Sequence, residues 1–156
     1  MSNKETLSIE FELLKADLIK AYDDKGMRSS GKWANSLEVI AQEDNVKIMG
    51  EEYSQQLETG RQAGRFPPIE SIKQWILDKG VFNAILQEIS LSSLAFLIAR
   101  KIANEGWKRE RFGGVDLISE VVTDERIQKI INEVGGVQMV RFTQEILVLI
   151  KQLQAA

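Results

Sequence analysis

The chain of 156 residues contains no cysteine and no histidine. Without cysteine there is no disulfide framework and no thiolate metal site, so the sequence does not read as a small secreted domain. Without histidine the commonest general acid–base and the commonest metal ligand are both missing. Ser-His and Cys-His nucleophiles are excluded, and only Lys, Tyr, Asp and Glu chemistry remains. A non-enzymatic protein is expected on that ground, with no cofactor and no metal. No apolar run is long enough to span a bilayer. Met1 to Leu7 is polar and lacks the apolar centre of a signal peptide. The expected location is the cytoplasm or a particle assembled there, with no membrane partner. Positive charge is not in excess: 20 Lys and Arg stand against 23 Asp and Glu, a net charge of −3, whereas a dedicated duplex-DNA binder is usually basic across the domain.

What is present fits one domain over residues 1–156, large enough to bury roughly two-thirds of the unfolded chain's surface. Hydrophobic residues make up 44% and charged residues 28%, an ordinary globular balance. Leu7, Phe11, Leu14, Leu18 and Tyr22 repeat at steps of four and three and predict an amphipathic helix over 5–25, stopped near Gly26. Arg28 to Lys32 reads as a loop. Ser36–Ala41 and Val46–Met49 alternate as two short strands around a polar connection of hairpin length, Gln42 to Asn45. A short helix follows over Glu51–Thr59, stopped by Gly60. Pro67-Pro68 opens a helix over Ile69–Lys79, because the first helical N–H groups have no partner for proline to displace. Ser90 is placed to cap the most hydrophobic helix, residues 90–105, which is expected to be central. Asp116 to Val122 fits helix or strand. Asp124 to Val134 is helical, with Gly135-Gly136 expected to break it. In the last segment Met139, Phe142, Ile146, Ile150 and Leu153 fit a helical stripe, although Ile146 to Ile150 also resembles a buried strand. The fold class that results is α+β, a mainly helical single domain packed on a small antiparallel sheet.

Few constellations carry chemistry. Asp23-Asp24 lie side by side in a helix end, where adjacent residues do not face each other. Glu51-Glu52 suits a helix N-terminus, which attracts negative charge. Neither Gly60 to Gly64 nor Gly113-Gly114 has the Gly-Lys-Ser/Thr ending of a phosphate loop. Two short basic clusters, Arg61 to Arg65 and Lys108 to Arg111, are interrupted and read first as solvated loops. Trp75 lies beside an isoleucine stripe and reads as core. Trp33 and Trp107 fall in or near loops, where a large aromatic is either tucked against its own domain or buried by a partner. The best-defined pattern is Tyr53-x-x-x-Leu57-Glu58-x-Gly60-Arg61, continued by Gly64-Arg65-x-Pro67-Pro68 and Trp75-Ile76. No reaction needs this set. It reads as a shaped loop between helices, with Arg61 or Arg65 free to fork onto Glu58 or a neighbouring subunit's carboxylate.

At these residues the sequence resembles the tail-completion and head–tail joining proteins of tailed bacteriophages. The matching positions are Ser30-Gly31 through Ser36-Leu37 and Tyr53 through Gly60. The stretch from Gly64-Arg65 through Trp75-Ile76, with Leu94 to Ile102, is similar to a branch found in phages of Bacteroidetes, crAss-like phages among them. Trp33 departs from the pattern, where a smaller residue is more usual, as does the long final segment. The resemblance implies a structural virion protein, a ring in the neck that joins portal and tail around the DNA channel. It implies a homo-oligomer, a dodecamer if matched to portal symmetry, with portal, adaptor or tail-ring proteins as neighbours. Packaged DNA would only pass through, and a mildly acidic wall would keep it from sticking. The expected location narrows to the virion neck, with the host cytoplasm during assembly. The contact elements expected are the loops 61–68 and 107–114, with Arg61, Arg65, Phe66, Trp107 and Arg111 as partner-contact residues. The competing reading is a small nucleic-acid-binding or regulatory helical protein that uses the two basic clusters.

Overall fold

A computed structural model of the chain describes residues 1–42, 45–80, 89–108 and 116–154. The order of elements is α1 (Asn3–Asp24), α2 (Lys32–Ser36), β1 (Glu38–Ala41), β2 (Val46–Met49), α3 (Ser54–Thr59), α4 (Ile69–Lys79), α5 (Leu91–Glu105), α6 (Leu117–Val121) and α7 (Asp124–Gln154). The fold is α+β, mainly helical, with a small two-stranded antiparallel sheet.

Helix α1 starts at a capping box. The Ser2 hydroxyl accepts from the Glu5 N–H at 3.2 Å, and the Glu5 carboxylate accepts from the Ser2 N–H at 2.6 Å. It ends where Met27 N–H reaches back to the Tyr22 carbonyl and Gly26 takes a positive φ. Its buried row runs at steps of four through Thr6, Glu10, Leu14, Leu18 and Tyr22. The expected stripe is therefore right over the last three residues, while Leu7 and Phe11 are only half-buried.

The hairpin forms as the alternation predicts, in the register Glu38↔Met49, Val39↔Ile48, Ile40↔Lys47 and Ala41↔Val46. Gln42 N–H donates to the Asn45 carbonyl at 2.7 Å across the connection; Glu43 and Asp44 lie outside the described residues. The first strand begins later than expected because Lys32–Ser36 closes one helical turn. That turn carries Trp33 into the core. Trp33 is 2% exposed, its ring stands 4.5 Å from that of Tyr22, and its indole N–H donates to Ser54 Oγ at 2.9 Å. A buried indole needs a partner for its one donor, and α3 supplies it. Ser36 and Ser54 bind the intervening chain from either side, Ser36 Oγ accepting from Glu51 N–H and Ser54 Oγ donating to the Glu51 carbonyl.

The main core joins Leu18, Tyr22, Met27, Trp33, Ala34, Leu57 and Leu117, with Leu37, Ile48, Trp107 and Val121 packed at its edge. Helices α1, α2, α3 and α6 therefore meet there. Helix α5 is not central, contrary to its hydrophobicity. It packs on α4; its buried residues are the small row Ala95, Ala99 and Ala103, and Ile76 is the buried residue of α4. Small side chains at the contact let two helix axes approach, and Leu91, Leu94, Ile98 and Ile102 stay half-buried beside the row. Phe96 and Leu97 are 49% and 44% exposed. Trp75 is also a correction: at 42% exposed it stands outside the core that its neighbour Ile76 enters.

Residues 117–121 resolve as helix, and the last segment is helical as the stripe suggests. The Gly135-Gly136 break does not occur. Helix α7 runs unbroken through both glycines over 31 residues, about 46 Å at the usual rise.

Candidate functional site

The Leu57-Glu58-x-Gly60-Arg61 motif is a structural clasp. Leu57 enters the core. The Glu58 carboxylate turns to the start of α6, accepting from Ile118 N–H at 2.7 Å and from the Ser119 N–H and hydroxyl. It thus satisfies helix-terminal donors sixty residues away in sequence. Asp116 N–H donates to the Glu58 carbonyl, closing the same joint from the backbone. Arg61 and Trp107 then exchange two backbone hydrogen bonds, at 2.8 and 2.7 Å, as an isolated antiparallel bridge. Glycine is required on both sides of that bridge. Gly60 has φ 75° and a Cβ there would lie 2.5 Å from the Trp107 carbonyl oxygen; Gly106 has φ 74° and a Cβ there would strike the Arg61 carbonyl oxygen.

The expected contact residues divide. Arg61 is half-buried and spends one guanidinium donor on the Arg65 carbonyl at 3.1 Å, so it braces its own loop. It does not fork onto Glu58, whose acceptors serve α6. Gly64 N–H donates to the Ala103 carbonyl at 2.6 Å, which ties the loop to α5. Phe66 is 45% exposed and packs one edge on Phe96, ring centroids 5.8 Å apart. Trp107 is half-buried against the core and is held by the bridge. Arg65 remains exposed. Arg111 lies outside the described residues. The bridge also brings Lys108, the first residue of the second basic cluster, beside Gly60, while the rest of that cluster lies outside the described residues.

Among the described residues the longest series of exposed large apolar side chains lies elsewhere, on α7. The first half of that helix packs on α1, with Arg126 Nη2 3.0 Å from Asp17 Oδ2. Arg126, Ile130, Val134 and Val137 are its half-buried row. From Gln138 to Gln154 every residue is exposed. Nine of them, between Met139 and Leu153, are large apolar residues with 40–79% of their surface in solvent. The sequence signal for this arm was the apolar run 146–150; it predicted a helix or a buried strand, and periodicity contains nothing that says whether the chain itself covers the stripe.

Charge is ordinary by comparison. The Ser2 backbone N–H and hydroxyl hold the Glu5 carboxyl below its usual range, and Arg28 does the same for Asp23, with Nε–Oδ1 at 2.7 Å. Among the described residues no group of three or more His, Cys, Asp or Glu side chains could hold a metal ion. A depression lined by Asp124, Glu125, Gln128, Lys129, Asn132 and Glu133 runs along one side of α7 and is open to solvent. Among the described residues no helix is long and apolar enough to cross a membrane. Comparison with known proteins gave no match: no family model fits the chain, no curated protein is similar to it in sequence, and no solved structure is similar to it in fold.

Proposed function

We propose that the chain is a non-enzymatic assembly subunit whose setting is the neck of a tailed bacteriophage, where copies form a ring between portal and tail. The observation that carries the assembly reading is the exposed half of α7. Seventeen consecutive helical residues, Gln138 to Gln154, are exposed, whereas most helical stability in proteins comes from packing an amphipathic face. Their apolar area exceeds the few hundred Å² that a monomer ordinarily leaves in one patch. Such a surface is made for protein contact. The neck setting is supported by the resemblance of residues 30–37 and 53–60 to head–tail joining proteins, and by the use of those residues as framework. Ser36, Leu57, Glu58 and Gly60 all hold the fold, as a motif shared for architecture requires. In this reading the partners are further copies of the chain and the portal, adaptor or tail rings, and DNA only passes through.

The test is the protein content of purified particles together with native mass. Presence in virions at a fixed copy number equal to that of the portal is the expected result. Absence from particles, with a monomer in the infected cell, overturns the neck setting.

A second reading rests on one specific observation, the adjacency of Arg61, Arg65 and Lys108 across the Arg61–Trp107 bridge. It makes the chain a nucleic-acid binder and predicts duplex binding that weakens steeply with salt.

A further inference from the structure

The apolar side of the arm does not point at its own body. At 100° per residue, the half-buried row Arg126, Ile130, Val134 and Val137 defines the side of α7 that meets α1. Met139, Ile146, Ile150 and Leu153 project from roughly the opposite side. Phe142 and Leu149 form one edge of this apolar arc, and Val140 and Leu147 form the other. The arc spans about half the circumference, whereas one neighbouring helix covers about 100°. The helix is continuous through Gly135-Gly136, so the body that holds its first half leaves this arc uncovered.

We propose that this arc is an oligomerisation surface between copies of the chain, in which the Phe142–Leu149 edge of one arm packs against the Val140–Leu147 edge of the next. Three observations favour a second copy over other occupants. The width of the arc calls for two neighbours, and a subunit in a cyclic assembly has two, met through two different surfaces. The exposed apolar area, on the order of 900 Å², gives each of two neighbours about 450 Å², so one junction buries about 900 Å² from both partners, the size of a weak contact that closure of a cyclic assembly reinforces. The arm is also close to electrically neutral. Its charged side chains are Arg141, Glu145 and Lys151, and the first two pair within the helix at 3.2 Å. Nothing on it selects for a strongly charged partner, and like copies meet without a wall of one sign. The packing stands apart from the neck setting, because it concerns how copies hold one another wherever they assemble.

The test uses two full-length variants, L149E and L147E, each placing a charge on one edge at an exposed helical position. Mass is read by sedimentation velocity, and helicity by circular dichroism. The full chain is expected to form assemblies larger than a dimer at about 10–100 μM, the range of ordinary contacts of this size. Each variant alone is expected to be a monomer of unchanged helicity, its self-contact weakened at least tenfold. Mixed in equal amounts, the two are expected to give a one-to-one dimer and nothing larger, because one intact edge of each kind remains. A monomeric full chain overturns the proposal, including one that co-sediments with anionic phospholipid vesicles. Variants that assemble like the parent overturn it too, and so does an L147E chain that dimerises by itself, which would mean like edges meet. Absence of the chain from virions would remove the neck setting and leave this result standing.

Discussion

At Glu58 a single carboxylate connects two segments that the sequence keeps far apart. Its acceptors serve the N–H groups of Ile118 and Ser119, so truncation would leave the half-buried Ile118 donor without a partner. The substitution Glu58→Ala is expected to cost about 1–3 kcal/mol in chemical denaturation, with Glu58→Gln less damaging because one acceptor oxygen survives. Gly60→Ala combines a left-handed φ with a Cβ 2.5 Å from the Trp107 carbonyl oxygen. It is expected to lower thermal stability and to loosen the bridge, read as faster amide exchange at Arg61 and Trp107. Glu10 points the other way. It is 7% exposed and its Oε2 has no hydrogen-bond partner, so Glu10→Met is expected to raise stability by about 1–2 kcal/mol. Acid acts at the surface. Glu5 and Asp23 have folded-state pKa values below their ordinary 4.5 and 3.8. A depressed carboxylate contributes stability above its unfolded pKa and loses it as pH falls through the folded one. Melting temperature is therefore expected to drop below about pH 4.5, and Asp23→Asn to remove part of that drop. Sequence inspection found the Leu-Glu-x-Gly pattern but not its partner. Nothing in residues 57–61 announces a helix start at 117, because hydrogen-bond pairing over that separation is fixed only by the fold.

The elements themselves were more legible than the way they pack. Helix α1, the hairpin, α3, α4 and the Ser90 cap of α5 follow from period, turn residues and caps, all of them local signals. The failures were judgements about burial. The hydrophobicity of α5 placed it at the centre, yet its fully buried residues are three alanines, with Leu94, Ile98 and Ile102 half-buried and Phe96 and Leu97 exposed. Trp33 reads as a loop aromatic because its helix has only five residues. Its burial depends on Tyr22 and Ser54, which come from other elements. Gly135-Gly136 reads as a break because glycine costs a helix interior about 1 kcal/mol per residue. Here strong flanking segments carry the helix across. A Cβ on either glycine meets nothing within 4 Å, so the double substitution to alanine is sterically free. It is expected to raise the stability of α7 by about 1–2 kcal/mol in total, seen as increased helicity and slower amide exchange between residues 130 and 142. No loss of helicity in the parent at those positions on heating, relative to the variant, would mean that the glycines are already rigid in place.

Across the whole molecule, two surfaces compete to explain what the chain does: the apolar arc of α7 and the small basic cluster at the Arg61–Trp107 bridge. Their physics differs in how each responds to salt. Contacts between apolar arms gain from water exclusion, and added salt does not weaken them. Binding of Arg61, Arg65 and Lys108 to phosphates releases counterions and fades steeply as ionic strength rises. The chain's net charge of −3 adds a general repulsion from nucleic acid that the basic residues must overcome. Sedimentation of the full chain at about 0.1 M and about 1 M salt, with and without a duplex, separates the two, since the screening length shrinks from about 10 Å to about 3 Å over that range. The assembly subunit is expected to keep its mass or grow at high salt and to ignore the duplex at either concentration. Co-sedimentation with the duplex at low salt that disappears at high salt, from a chain that is otherwise monomeric, would transfer the function to the basic cluster. It would also leave the exposed arc of α7 to be covered only after the nucleic acid is bound.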